Sequence, residues 1–67
     1  MSVAKIIEIS AESSQSFEDA IRQGLQRASK TVDKIKRAWV QDQLVEVEGG
    51  KVTTFRVHLT VTFVLDE

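Results

Sequence analysis

The segment KIKRAWVQDQLVEVEGGK, residues 34–51, holds the side chains best suited to binding chemistry. Trp39 is the chain's single tryptophan. Arg37 precedes it by two residues, and Gln41 and Gln43 follow at the same spacing. In a β-strand that spacing puts all four side chains on one side. An indole offers a large flat face for stacking, and a guanidinium stacks or donates to phosphate and carbonyl oxygens. Together they suit stacking on a ligand or on a neighbouring subunit. Arg56 and His58 show the matching spacing in the last segment, KVTTFRVHLTVTFVL.

Catalysis requires a positioned acid, base or nucleophile, and the sequence offers little for it. His58 is the only histidine, and a lone strand histidine reads first as a surface or interface residue. There is no nucleophile elbow, phosphate loop or paired-carboxylate motif. EVEGGK contains two glycines but lacks phosphate-loop spacing and joins two strand-like segments. The chain therefore does not read as an enzyme. Glu46 and Glu48 alternate on one strand face, and LDE closes the chain. Calcium or magnesium needs several oxygen ligands, which copies gathered around a symmetry axis would supply. The plainer reading of each carboxylate is a solvated surface charge.

Nine basic and ten acidic side chains give a net charge of −1, which provides no basic footprint for nucleic acid. The opening MSVAKIIEIS has too short an apolar run for a signal peptide or a membrane span. The chain reads as soluble and cytoplasmic. Its 67 residues suit one small domain, 1–67, with no linker. A domain this small is marginal alone and needs reinforcement. The sequence has no Cys, so disulfides and thiolate zinc sites are excluded. Self-association is the reinforcement left.

These side chains must be positioned by a small set of elements. VAKIIEI, residues 3–9, is β-branched and apolar and predicts a first strand, with SAESSQS as a loop. Ser16 predicts a helix N-cap, followed by Glu18 and Asp19 in the first turn. Phe17, Ala20, Ile21, Gly24, Leu25, Ala28 and Val32 recur at helical spacing and predict an amphipathic helix of about four turns. Gly24 costs that helix about 1 kcal/mol against Ala, and close helix–sheet approach is the reading that explains it. RAWVQDQLVEVE and KVTTFRVHLTVTFVL, joined by Gly49-Gly50, predict a long β-hairpin. The fold class is α+β, in the order β-α-β-β. A three-stranded antiparallel sheet packs one face on one helix.

A two-residue turn at Gly49-Gly50 sets Glu48 opposite Lys51. The register then pairs Leu44 with Phe55, Val40 with Leu59 and Ala38 with Val61 on the helix-covered face. Arg37 meets Thr62, Trp39 meets Thr60, Gln41 meets His58 and Gln43 meets Arg56 on the other face. Trp39 thus points away from its own core. The same register sets Asp42 opposite Val57, where an unpaired carboxylate is costly. Three things resolve that conflict: local fraying, a partner from elsewhere, or a β-bulge, which shifts the register by one. The outward face itself reads as solvated surface, as a subunit interface, or as a ligand pocket between subunits.

In order and spacing, KIIEISAESSQSFEDAI, ASKTVDKI, AWVQDQ and VTFVLDE resemble the dodecins. These are small bacterial and archaeal β-α-β-β proteins of which twelve copies form a hollow shell. The resemblance covers nearly the whole chain. It implies a homododecamer that binds, stores and sequesters a flavin (riboflavin, FMN or FAD) between subunits. In the family a Trp sandwiches the isoalloxazine and a Gln on the last strand bonds its polar edge. Aligned without gaps, Arg37 stands at that Trp position, and Arg56, following Phe55, stands at that Gln position. Both depart from the flavin-binding pattern. The resemblance, with these departures, marks Arg37, Trp39, Gln43 and Arg56 as the cofactor-binding set. Calcium binding is also described within the family. The alternative it implies is a flavin-incompetent shell with a structural or calcium- or magnesium-binding role.

Overall fold

The computed structural model describes residues 3–65, so the closing Asp66 and Glu67 of the LDE segment lie outside the described residues. Strand β1 spans Val3–Ser13, helix α1 Phe17–Ala28, strand β2 Ile35–Glu48 and strand β3 Lys51–Leu65. The sheet is antiparallel in the order β1-β3-β2, so the longest strand is central. This is the expected α+β architecture. No helix among the described residues is long and apolar enough to cross a membrane.

The central strand β3 carries the clearest period-two pattern, and its alternate residues form the core. Val57, Leu59 and Val61 are buried, with Ala20 of α1 packed against them. Each such aliphatic side chain contributes about 1.5–3 kcal/mol by leaving water. Ile7, Ile9 and Ala11 from β1 complete the layer, with Phe17, Ile21 and Leu25 from α1. Phe17 meets Phe55 edge to face, with ring centroids 5.2 Å apart. Gly24 earns its place as expected, because a Cβ there would lie 2.8 Å from the Ala11 Cβ.

Strand β1 runs to Ser13, beyond the expected end at Ile9, because β3 is long enough to pair with it as far as Ser13–Phe55. Propensity alone reads SAES as loop, but the partner strand offers a ladder and the ladder wins. Ser13 is buried, and its hydroxyl donates to Asp19 Oδ2 at 2.5 Å and accepts from the Gln15 N–H at 2.8 Å. Ser16 is the N-cap, and its Oγ accepts from the Asp19 N–H at 2.9 Å.

The helix is one turn shorter than its apolar spacing predicts and stops before Val32. Ser29 Oγ donates to the Gln26 carbonyl and Thr31 Oγ1 to the Ala28 carbonyl. Hydroxyls bonded to the last carbonyls favour termination. The Ala28 carbonyl also accepts from the N–H groups of Thr31 and Val32.

Gly49 and Gly50 form the hairpin turn with φ of 60° and 78°, the positive pair a tight hairpin requires. Glu48 stands opposite Lys51 as expected. The register departs from the simple count immediately afterwards. Thr53 is left without a ladder partner between the Val47–Val52 and Glu46–Thr54 pairs, and its hydroxyl donates to the Glu46 carbonyl at 3.3 Å. Gln41 is the compensating extra residue on β2, between Val40–Leu59 and Asp42–His58. Past Gln41 the expected pairs stand: Val40–Leu59, Trp39–Thr60, Ala38–Val61 and Arg37–Thr62, until a third irregularity leaves Lys36 as an extra residue before Ile35–Phe63. Between Thr53 and Gln41 the register is displaced by one.

That displacement corrects four expected pairs. Leu44 faces Arg56 rather than Phe55, and Gln43 faces Val57 rather than Arg56. His58 is met by Asp42 rather than Gln41, and Asp42 no longer faces Val57. The physical reason is the one the carboxylate signalled. A bulge turns Asp42 outward at the cost of one unpaired residue, whereas the unbulged ladder buries an ion.

The helix lies over β1 and β3 and leaves most of β2 uncovered. Only Ile35 and Ala38 of β2 are half-buried. Val40, Val45, Val47 and Val52, on the helix side of the hairpin, remain exposed. The chain is correspondingly long and thin, 52 × 20 × 13 Å.

Candidate functional site on the outward sheet face

The face opposite the helix is assembled from alternate residues of all three strands. Ile6, Glu8, Ser10 and Glu12 come from β1, and Arg56, His58, Thr60 and Thr62 from β3. Arg37, Trp39, Asp42, Leu44 and Glu46 come from β2. The indole of Trp39 is 70% exposed, as the sequence reading of its direction requires. It takes no part in the core cluster around Val57, Leu59 and Val61.

The four expected site residues do not converge. Arg37 and Trp39 are neighbours on one side of β2, opposite Thr62 and Thr60. Arg56 lies four residues along β3 from Thr60, about 13 Å away at strand rise. Gln43 pairs with the core residue Val57 and so faces the helix side of the sheet. Gln43 is therefore corrected out of the outward set, by the same bulge that turned Asp42.

Arg56 is occupied. Its Nη2 lies 2.7 Å from Glu12 Oε1 and 3.6 Å from Glu46 Oε2, and its Nε donates to the same Glu12 oxygen at 3.1 Å. The hydrogen bond to Glu12, then the charges of Glu12 and Glu46, push the guanidinium above its ordinary pKa. One arginine thus ties β1 to β2 across the central strand. Arg37 differs, having no ion pair among the described residues.

His58 Nδ1 lies 3.3 Å from Asp42 Oδ1 on the exposed sheet surface. Sequence reasoning missed Asp42, Leu44 and Glu46 as members of this face. The signal for all three was the carboxylate stranded on the core side, which required a shift of one residue. No group of three or more His, Cys, Asp or Glu side chains gathers around a single point among the described residues. The described residues of one copy therefore bring no such cluster toward the six to eight oxygens that calcium takes.

Comparisons with known proteins agree in direction. The dodecin family model matches residues 3–66. The calcium dodecin of Mycobacterium tuberculosis (strain ATCC 25618 / H37Rv) is 40% identical over 63 residues, spanning 94% of this chain and 89% of that protein. A crystal structure of calcium dodecin from Mycobacterium tuberculosis, described as having a novel calcium-binding site, is 38% identical, with a TM-score of 0.82 over 96% of this chain and 91% of that one. A point mutant of the Thermus thermophilus dodecin is 30% identical and superposes with a TM-score of 0.94 over 100% of both chains. The dodecin from Streptomyces davaonensis is 27% identical, with a TM-score of 0.93 over 98% of this chain and 97% of that chain.

Proposed function

The chain belongs to the dodecin family, and from that premise we propose that it is a non-catalytic binding protein whose copies close into a dodecameric shell holding a flavin between subunits. The observation that carries this reading is the outward indole of Trp39 beside Arg37, which has no ion pair among the described residues. A large aromatic surface left open on a small domain is a contact surface. One chain supplies one wall of a stacking site, and a second copy supplies the other. Trp39 offers the ring face, one pleat along from the family's Trp position, and Arg37 stacks at that position or donates to a polar edge. Arg56 acts indirectly, by holding Glu12 and Glu46 in place. Such a site stores and quenches a photoreactive cofactor without transforming it.

Titration of riboflavin, FMN and FAD with the protein, followed by flavin fluorescence, tests the proposal. Quenching that saturates, together with loss of Trp39 emission, is the expected result. Unchanged flavin emission in a large excess of protein removes flavin as the ligand. Native mass spectrometry tests the shell, and a species at 7.5 kDa alone defeats it.

A second reading is favoured by a specific observation, the 40% identity to a calcium dodecin. Under it the shell binds calcium or magnesium through carboxylates from several copies. Isothermal titration of chelator-treated protein separates the two. Heat with calcium and none with flavins selects the cation reading.

A further inference from the structure

Two arginines stand on the outward face, and their electrostatic situations are opposite. Arg56 is neutralised by Glu12 and Glu46 and has little charge left to offer a ligand. Arg37 has no ion pair among the described residues. Its cross-strand neighbours are Thr62 and, beyond it on β1, Ile6, neither of them charged. The nearest outward carboxylates are otherwise placed: Asp42 is engaged with His58, and Glu8 lies two strands from Trp39.

An unpaired cation beside an aromatic platform carries chemical information about what is bound there. The Cα atoms of Arg37 and Trp39 are about 6–7 Å apart along one side of the strand. An extended guanidinium therefore reaches an acidic group attached to a ring stacked on the indole. Covering this surface with a neutral ring would desolvate the arginine without compensation. An acidic arm supplies the missing partner through a charge-assisted, bidentate bond. The hydroxyls of Thr60 and Thr62 offer further donors at the same level of the sheet.

We infer that Arg37 sets the charge selectivity of the site, so that this face takes a planar aromatic bearing a phosphate or carboxylate in preference to its neutral counterpart. The inference rests on the proposed flavin reading and goes beyond it by assigning the preference to one residue. It separates Arg37 from Arg56, which a count of positive residues treats alike.

FMN and riboflavin differ only by the phosphate and are the probes. Each is titrated into the full-length protein at low and at moderate salt, with flavin fluorescence as the readout. FMN binds about tenfold tighter than riboflavin at low salt, with the gap narrowing as salt screens the charge. Arg37→Gln removes the gap, weakening FMN by about tenfold more than riboflavin. Arg22→Gln, which deletes a helix cation paired with Glu18, keeps the gap and controls for net charge. Native mass checks that each variant assembles as the parent does. Equal affinity for FMN and riboflavin in the parent, or a preference that survives Arg37→Gln, overturns the inference while leaving flavin binding intact. Failure of both flavins to bind overturns the flavin reading and this inference with it.

Discussion

Asp42 stands opposite His58 on the outward face of the hairpin, its Oδ1 3.3 Å from the imidazole Nδ1. An uninterrupted ladder from the Gly49-Gly50 turn would have set the same carboxylate against Val57, in the core. Two bulges, at Thr53 and Gln41, convert a buried ion into an exposed pair and then restore the original register. The outward residues of β2 differ from the simple count between these two bulges, and again at the start of the strand, where the extra residue Lys36 turns Ile35 toward the core.

That arrangement predicts a mild Asp42→Ala phenotype. An exposed pair contributes about 0–1 kcal/mol, so urea unfolding of the variant should shift by no more than that. A gain of several kcal/mol would mean that the parent carboxylate was buried and unpaired, contrary to the observed register.

Gly24→Ala should destabilise the protein, against the trend of helix propensity. The propensity gain is about 1 kcal/mol. The new Cβ would sit 2.8 Å from that of Ala11, a backbone-anchored atom on β1 that has little room to move. Overpacking of this kind costs about 1–3 kcal/mol. A thermal melt at fixed protein concentration measures the net effect, and a raised midpoint would show that the helix and β1 separate easily.

Trp39→Ala should leave the fold intact and weaken ligand binding. At 70% exposure the ring contributes little to the subunit core, so far-UV circular dichroism is expected to be unchanged. Flavin affinity should fall by about twofold to tenfold from lost stacking, since aromatic pairs are worth about 0.5–1.5 kcal/mol beyond the area they bury. Full-strength quenching by the variant would move the binding surface away from β2.

Val45→Ser combined with Val47→Ser should reduce assembly. Both valines lie on the helix side of β2 beyond the reach of α1, and they remain exposed at 39% and 60%. Exposed apolar residues on an edge strand mark a surface that another chain covers. Native mass spectrometry should show smaller species than the parent with strand content retained. An unchanged mass would place the subunit contacts elsewhere.

Most of the architecture was legible in local pattern. The alternation of Phe55 to Leu65 named the last strand and its buried side, because a period of two has one geometric meaning, while its central place in the sheet came from the structure. The spacing from Phe17 to Ala28, with Ser16 before it, named the helix and its start. Gly49-Gly50 named the turn, because paired positive φ angles are cheap only for glycine. The outward direction of Trp39 followed from that turn and survived, since two bulges of opposite strand restore what one would have reversed.

What the chain alone did not reveal is where pairing overrides propensity and where the register slips. Strand β1 extends to Ser13 because β3 is there to receive it, a fact about a partner more than forty residues away in sequence. The positions of Thr53 and Gln41 as unpaired residues depend on balancing one lost ladder contact against the burial of Asp42. That balance exists only once the two strands and the core are in place. The division of labour between Arg56 and Arg37 has the same origin. Both are arginines on one face, and only the tertiary placement of Glu12 and Glu46 neutralises the first and leaves the second without an ion pair among the described residues.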